Sequence, residues 1–125
     1  MWLDRGLIYG PYYTLCLTPK DFKAAMKHLG VEEPPPFAKS EHSDATTYFC
    51  TGKQAKLCAV VAMGGWHKRT GIEIAGLLVH EAVHIWQEWC SRVGETDPGS
   101  ETEAYSVQWL SQQLMWEFQR QVKPK

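Results

Sequence analysis

The sequence predicts an α+β fold within one domain that spans residues 1–125. Two patterns predict this class. Three short segments rich in β-branched and aromatic residues are typical of strands, and three segments with apolar residues at helical spacing are typical of helices. Their order is β-α-β-β-α-α, which favours a small, mainly antiparallel sheet packed against helices. The 125 residues and the hydrophobic content of 44% suit one core.

The first strand and the first helix lie close together in the chain. Residues 12–18 combine aromatic and β-branched side chains and predict the strand. Thr18 is a suitable N-cap for the helix that follows, Pro19 suits its first turn, and Gly30 ends it. The helix is therefore expected to be short and to carry one apolar stripe.

A proline-rich loop and a hairpin occupy the middle of the chain. Residues 31–44 should form the loop, because three consecutive prolines exclude regular backbone hydrogen bonding. Residues 45–51 and 56–63 predict two strands of a hairpin whose turn is 52–55. The second of these strands is nearly continuous in apolar residues, which predicts a central strand.

The longest helix is predicted to begin at Thr70 and to end at Gly94. Thr70 and Glu73 fit a capping box, and Gly94 fits a helix end. Most turns of this helix are apolar, so we expect it to be buried. Four of its polar residues fall within about 40° of His80 on a helical projection, and they are Glu73, His84, Gln87 and Ser91. A last helix should run from Glu101 to about Gln121, begun by Asp97-Pro98 or by Ser100.

Composition and charge exclude several classes of function. The formal net charge of −1 gives no electrostatic reason to expect binding to nucleic acid or to an anionic membrane. No apolar run approaches the length of a membrane span, and the N-terminus lacks the pattern of a secretory signal, so we expect a cytoplasmic protein. The four cysteines should then be reduced thiols, with a Cys50–Cys58 cross-link as the main exception.

The chemistry of the chain is concentrated in His80-Glu-Ala-Val-His84. Two imidazoles at i and i+4 lie on one helical face and can bind one metal ion, for which zinc is the typical choice. Glu81 points about 100° around the helix from His80, where a general base for a zinc-bound water belongs. The alternative is a pair of core histidines that hydrogen-bond to the backbone.

A zinc site of this kind needs a third protein ligand from another element. Cys90 lies about 80° around the helix from His80 and ten residues beyond it, so it is not expected to reach the same metal, which leaves Glu101 and Glu103. The two carboxylates project about 160° apart, so only one of them can face the metal. Ser100 and Glu103 fit a capping box of their own, which favours Glu101 as the ligand and leaves Glu103 as the alternative.

These residues resemble the gluzincin clan of zinc metallopeptidases. The resemblance rests on His80-Glu-Ala-Val-His84 and on Glu101-Thr-Glu-Ala-Tyr105, and it covers about residues 56–115. It implies a minimal zincin-like fold with one Zn²⁺ per chain, held by His80, His84 and Glu101, and with Glu81 as the catalytic base. It also implies a peptide or protein substrate, paired in this clan with the strand beside the metal helix, here strand 56–63 or its exit Gly64-Gly65-Trp66. Tyr105 stands where the clan often has Asp.

The motifs are also similar to those of small phage-encoded proteins classed as metallopeptidases, through Glu101, Ala104, Tyr105 and Gln108. That likeness implies action in the host cytoplasm or in the virion. The competing hypothesis is a non-catalytic, zinc-stabilised phage accessory or assembly protein, favoured by the small size of the chain. A peptide deformylase is excluded, since its Glu-Gly-Cys segment is missing. Tyr105 and His67 are candidates for stabilising an oxyanion.

Overall fold

The structure is a computed structural model that describes residues 12–37, 45–51 and 56–123. The elements are the strands β1 (Tyr12–Cys16), β2 (Thr46–Thr51) and β3 (Leu57–Ala62) and the helices α1 (Pro19–His28), α2 (Gly71–Val93) and α3 (Ser100–Val122). This confirms the predicted α+β class and the order of elements. The predicted turn at 52–55, residues 38–44 of the predicted loop, and the N-terminus lie outside the described residues.

Strand β3 is the centre of the described sheet, whose strand order is β1-β3-β2. It pairs with β2 in antiparallel register and with β1 in parallel register. All its residues are buried, which confirms the prediction of a central strand. The prediction of a mainly antiparallel sheet is wrong, because the sheet is mixed. Parallel neighbours need a long crossover connection, and α1 with the residues that follow it separates β1 from β3.

Helices cover both faces of the sheet. One face packs against α2 and α3 through a core of apolar side chains. This core includes Tyr13, Leu15, Val61, Met63, Leu78, Ile85, Leu110 and Leu114. The other face packs against Phe22 and Met26 of α1. Alternation along β1 and β3 explains the division, since successive side chains of a strand point to opposite faces. Among the described residues, no helix is both long enough and apolar enough to cross a bilayer.

Helix α2 begins and ends where its capping residues predict. Thr70 accepts a hydrogen bond from the Glu73 backbone N–H, and the Glu73 side chain accepts one from the Thr70 N–H, which completes the predicted capping box. Gly94 ends the helix in the left-handed conformation, with φ of 75°. These local signals place His80 and His84 in the middle of a continuous helix rather than at a frayed end.

Helix α3 begins differently from the prediction. Its N-cap is Gly99, and no described side chain caps the helix. Ser100 is already the first helical residue, and the Glu103 N–H donates to the Gly99 carbonyl oxygen at 2.9 Å. The predicted capping box of Ser100 and Glu103 is therefore wrong. Glu103 loses the structural role that favoured Glu101 over it as a metal ligand.

The C-terminal part of α3 is fastened to β1 by a polar network around a buried carboxylate. Glu117, whose side chain is 2% exposed, accepts hydrogen bonds from Arg120 at 2.9 and 2.5 Å and from Gln121 at 3.0 Å. Gln121 Nε2 also donates to the Leu15 carbonyl oxygen at 2.8 Å. Burial tends to raise the pKa of Glu117, but these hydrogen bonds and the Arg120 charge outweigh it, so the pKa is lowered.

Replacing Glu117 with glutamine should destabilise the protein by about 1–2 kcal/mol near neutral pH, because the charge-assisted hydrogen bonds are lost. A carboxyl whose pKa is lower in the folded state contributes stability at neutral pH, and that contribution is lost as the pH falls through its folded pKa. Urea unfolding from pH 7 down to pH 3 should therefore show the two proteins converging. Glu88→Gln is the matched control, since Glu88 pairs with Arg92 on the surface and should contribute under about 0.5 kcal/mol. A constant difference between Glu117→Gln and wild type at every pH would contradict the assignment.

Cys50 and Cys58 are direct partners in the antiparallel ladder of β2 and β3. Residues directly opposite in such a ladder have Cα atoms about 4.5–5.5 Å apart, which lies within the range that a disulfide spans. All four cysteines are thiols in the structure, as the sequence predicted. Burial raises the pKa of Cys50, and the neighbouring Cys58 raises it further, so little thiolate is present at neutral pH.

A thiol-specific oxidant such as diamide should therefore cross-link Cys50 to Cys58, and faster at pH 9 than at pH 7. The bond closes a short loop and should stabilise the fold by about 2–3 kcal/mol. Thiol titration before and after treatment should show two of the four thiols lost. Cys50→Ser should abolish that loss. Cys16→Ser, which replaces the buried cysteine of β1, should leave the loss of the Cys50 and Cys58 thiols unchanged. Equal loss in both variants would contradict the pairing.

Candidate functional site

The imidazoles of His80 and His84 converge on the surface of α2. Their Nε2 atoms are 3.0 Å apart, and the ring centroids are 4.7 Å apart at an interplanar angle of 74°. Both side chains are exposed. The spacing of four residues puts the rings one turn apart on the same side of the helix, as predicted. Two nitrogen donors at this separation can share a proton or bind the same cation.

Glu81 lies between them in sequence but points into the protein. It is 3% exposed, and the Thr47 hydroxyl of β2 donates a hydrogen bond to its Oε2. Among the described residues, Thr47 is the only hydrogen-bond partner of this carboxylate, and no cation pairs with it. Burial of a carboxylate without a positive partner is unfavourable. A cation bound by the adjacent imidazoles would supply the missing charge.

The polar stripe of α2 faces away from α3. On a helical projection His84 lies about 40° from His80 and Glu81 about 100°, whereas Leu78 lies about 160° away. Leu78 faces α3, where it lines a groove with Met115 and Phe118. Glu81 faces β2, and Arg92, farther along the helix, donates to the Thr51 hydroxyl of the same strand at 3.4 Å. The histidines therefore lie on the flank of α2 next to β2.

The prediction that α2 is buried holds for one side only. Ile74, Leu78, Ala82 and Ile85 are buried, whereas the predicted polar stripe is exposed along its whole length. The reason is that α2 has packing partners in the sheet and in α3, and neither covers the stripe. The exposed histidines are consequently not the core pair that the alternative interpretation of the motif required.

The structure does not bring Glu101 to the histidines. Glu101 and Glu103 are exposed on the first turn of α3, which lies beside the C-terminal end of α2. Burial raises the pKa of Cys90, and the negative charge of Glu103 raises it further, which places Glu103 near that end. Within the described residues, no group of three or more His, Cys, Asp or Glu side chains is arranged to hold a metal. Glu101 as a metal ligand stays a prediction. For Glu101 to bind the same metal as His80 and His84, the first turn of α3 would have to lie closer to the two histidines.

The two candidates for oxyanion stabilisation are also placed away from Glu81. Tyr105 is 67% exposed on α3, the helix that packs on the opposite flank of α2. His67 is exposed in the 3₁₀ turn Trp66–Lys68 before α2. Its ring packs edge-on against the Trp66 ring, with the two ring centroids 4.5 Å apart. The structure assigns neither side chain to the surroundings of the histidine pair.

Both β2 and β3 pack against α2, but it is β2 that supplies a hydrogen bond to Glu81 of the motif. Strand β3 pairs on both sides, so the expectation that strand 56–63 itself pairs with a substrate is wrong, whereas the alternative at Gly64-Gly65-Trp66 stays a prediction. Strand β2 forms an edge of the described sheet and carries Thr47.

Sequence reasoning missed Thr47. Alternation along the strand puts it on the same face as Ala45 and Phe49, but the pairing of this face with Glu81 depends on tertiary packing.

Comparison with known proteins adds no relative. No protein-family model matches the chain, and no curated protein or solved structure matches it. The residues and geometry of the chain itself, together with its motifs, are therefore what supports a function.

Proposed function

We propose that the chain is a zinc-dependent metallopeptidase of minimal zincin-like fold that hydrolyses peptide bonds in a peptide or protein substrate. In this proposal His80 and His84 bind the metal and Glu81 is the general base. The observation that carries it is the convergence of two imidazole nitrogens, 3.0 Å apart, on the helix that also buries a carboxylate without a positive partner.

The donor atoms fit zinc. Zinc in catalytic sites typically takes imidazole and carboxylate ligands and keeps one position open. His80 and His84 would supply two nitrogens, and Glu101 is the predicted third ligand. When bound, zinc would supply a Lewis acid that polarises a carbonyl and lowers the pKa of a coordinated water to about 7.

Glu81 would move the proton in the reaction. Its carboxylate accepts the proton of the attacking water and passes it to the amine that leaves when the peptide bond breaks. Because the group is buried at the boundary of α2 and β2, little bulk water competes for that proton. No role in binding a metal falls to Glu81, which points about 60° around the helix from His84.

An extended substrate would lie along β2. This strand is at an edge of the described sheet, next to the flank of α2 that carries the histidines. An edge strand offers backbone N–H and C=O groups to which an extended peptide can pair. Backbone pairing of that kind would present successive peptide bonds to Glu81 with little dependence on side-chain identity.

Metal-dependent cleavage tests the proposal. Zinc-loaded protein and protein stripped with a chelator should be incubated with a diverse peptide mixture, and the products identified by mass spectrometry. We expect cleavage with zinc, loss of cleavage after stripping, and recovery when zinc is restored. Cleavage that survives complete removal of the metal would contradict a zinc-dependent mechanism.

Two observations favour a second candidate, a non-catalytic accessory or assembly protein stabilised by zinc, of the phage kind that the motifs resemble. The described residues assemble no group of three ligands, and Glu81 already has a structural partner in Thr47. In that case zinc should raise the melting temperature, as ligands of the folded state do, while the peptide mixture stays intact.

A further inference from the structure

We propose that Thr47 is a positioning residue for Glu81, a role that rests on the proposed function. The Thr47 hydroxyl holds the carboxylate through its Oε2 atom and so sets the direction in which the other oxygen points. This residue lies on a different element from the motif, and no pattern in the sequence connects the two.

The backbone around Thr47 is well placed for this task. Thr47 pairs with Val61 of the central strand β3, so the position of its hydroxyl is set by the sheet rather than by a loop. The same strand contacts α2 a second time, through the hydrogen bond from Arg92 to Thr51. Two contacts along one strand fix the register of β2 against the helix that carries Glu81.

The chemistry explains why a hydroxyl is needed. An ionised carboxylate only accepts hydrogen bonds, and in the described residues Glu81 has one donor. With Oε2 held by that donor, the group cannot rotate without losing the bond. Oε1 is then left in one orientation to exchange a proton with water and with a leaving amine. A catalytic base that rotates freely would spend much of its time misaligned.

The test compares Thr47→Val with Thr47→Ser in the full-length zinc-loaded protein. Valine keeps the β-branched shape and removes the donor, whereas serine keeps the donor. We expect Thr47→Val to lower kcat by about 10–100-fold with KM within about twofold, and Thr47→Ser to restore most of kcat. Zinc affinity should be unchanged in both variants, since neither touches the imidazoles. A purely structural role would not separate kcat from KM in this way.

A double-mutant cycle in urea examines the contact without any need for a substrate. Thr47→Val, Glu81→Met and the double variant should show coupling of about tenfold in the unfolding equilibrium constant, because methionine is similar in length to glutamate and cannot accept the Thr47 hydroxyl in the same way. Thr46→Val, on the opposite face of β2, is the stability control and should show no coupling to Glu81→Met. Absence of coupling at Thr47 would overturn the proposal, because the hydrogen bond would then not hold the carboxylate.

The outcomes separate this proposal from the proposed function. If wild type cleaves peptides and Thr47→Val retains full kcat, the positioning role is overturned and the peptidase stands. If zinc-loaded wild type cleaves nothing while the cycle still shows coupling, the peptidase is overturned, and the positioning role falls with it. Cleavage with a kcat defect that serine repairs supports both.

Discussion

Replacing either His80 or His84 with alanine should weaken zinc binding by more than about 100-fold, since loss of even an outer-shell partner of a metal ligand typically costs about 10–100-fold. Each histidine supplies one of two nitrogens that are 3.0 Å apart, so one substitution removes the chelate. Competition with a chelating dye measures the affinity, and wild type should bind about one zinc per chain. Both side chains are exposed on α2, so the fold should survive the change.

His67→Ala is the matched control for this experiment. His67 is an exposed histidine in the turn before α2, and it lies outside the i and i+4 pair. Its variant should bind zinc as wild type does. Zinc binding that is unaffected by His80→Ala, or lost equally in His67→Ala, would contradict the assignment of the ligands.

Replacing Glu81 with glutamine should lower kcat/KM for a cleaved peptide by about 10²–10⁴-fold, the range that general acid–base groups typically contribute. Glutamine has nearly the same shape, and its carbonyl oxygen can still accept the Thr47 hydroxyl. It cannot take a proton from water at neutral pH. Zinc should remain bound, because both imidazoles are intact. Steady-state kinetics on one cleaved peptide, with zinc content measured on the same sample, gives both results.

Glu88→Gln provides the comparison for Glu81→Gln. Glu88 is on the same helix, two turns beyond Glu81, and forms an ion pair with Arg92 on the surface at 3.1 Å. Neutralising it changes the charge of α2 by the same amount without touching the base. If both variants lose activity equally, a general change in charge explains the loss and Glu81 has no special role.

Local signals in the sequence predict the elements of this protein well. The capping box of Thr70 and Glu73 and the left-handed Gly94 depend only on residues within one helical turn. The N-cap at Thr18 is equally local, since its hydroxyl accepts from the Asp21 N–H at 3.1 Å. Such contacts form wherever the helix forms, so the sequence alone determines them.

Pairing between distant elements could not be predicted in the same way. The parallel ladder of β1 and β3 depends on how the chain crosses from one strand to the other. The choice of Gly99 rather than Ser100 as the N-cap of α3 is a one-residue choice between competing signals. Neither choice has a sequence pattern strong enough to exclude its alternative.

In the candidate site, too, the features that depend on local spacing were predicted and the features that depend on packing between distant elements were not. The convergence of His80 and His84 follows from helical spacing and was predicted. The burial of Glu81 against Thr47 follows from the packing of α2 on β2, which the sequence does not encode locally. Whether Glu101 can approach the histidines depends on the flank of α2 against which α3 packs. Helical spacing alone could not show that α3 and the histidines lie on opposite flanks.

The most direct test is a mass-spectrometric digest of one peptide mixture by equal amounts of zinc-loaded wild type and zinc-loaded Glu81→Gln. We expect wild type to produce new peptides that are absent or at least about 100-fold weaker with the variant, at equal zinc content. No new peptides with wild type, or the same peptides at the same rate with both proteins, would contradict a zinc-dependent peptidase with Glu81 as its base.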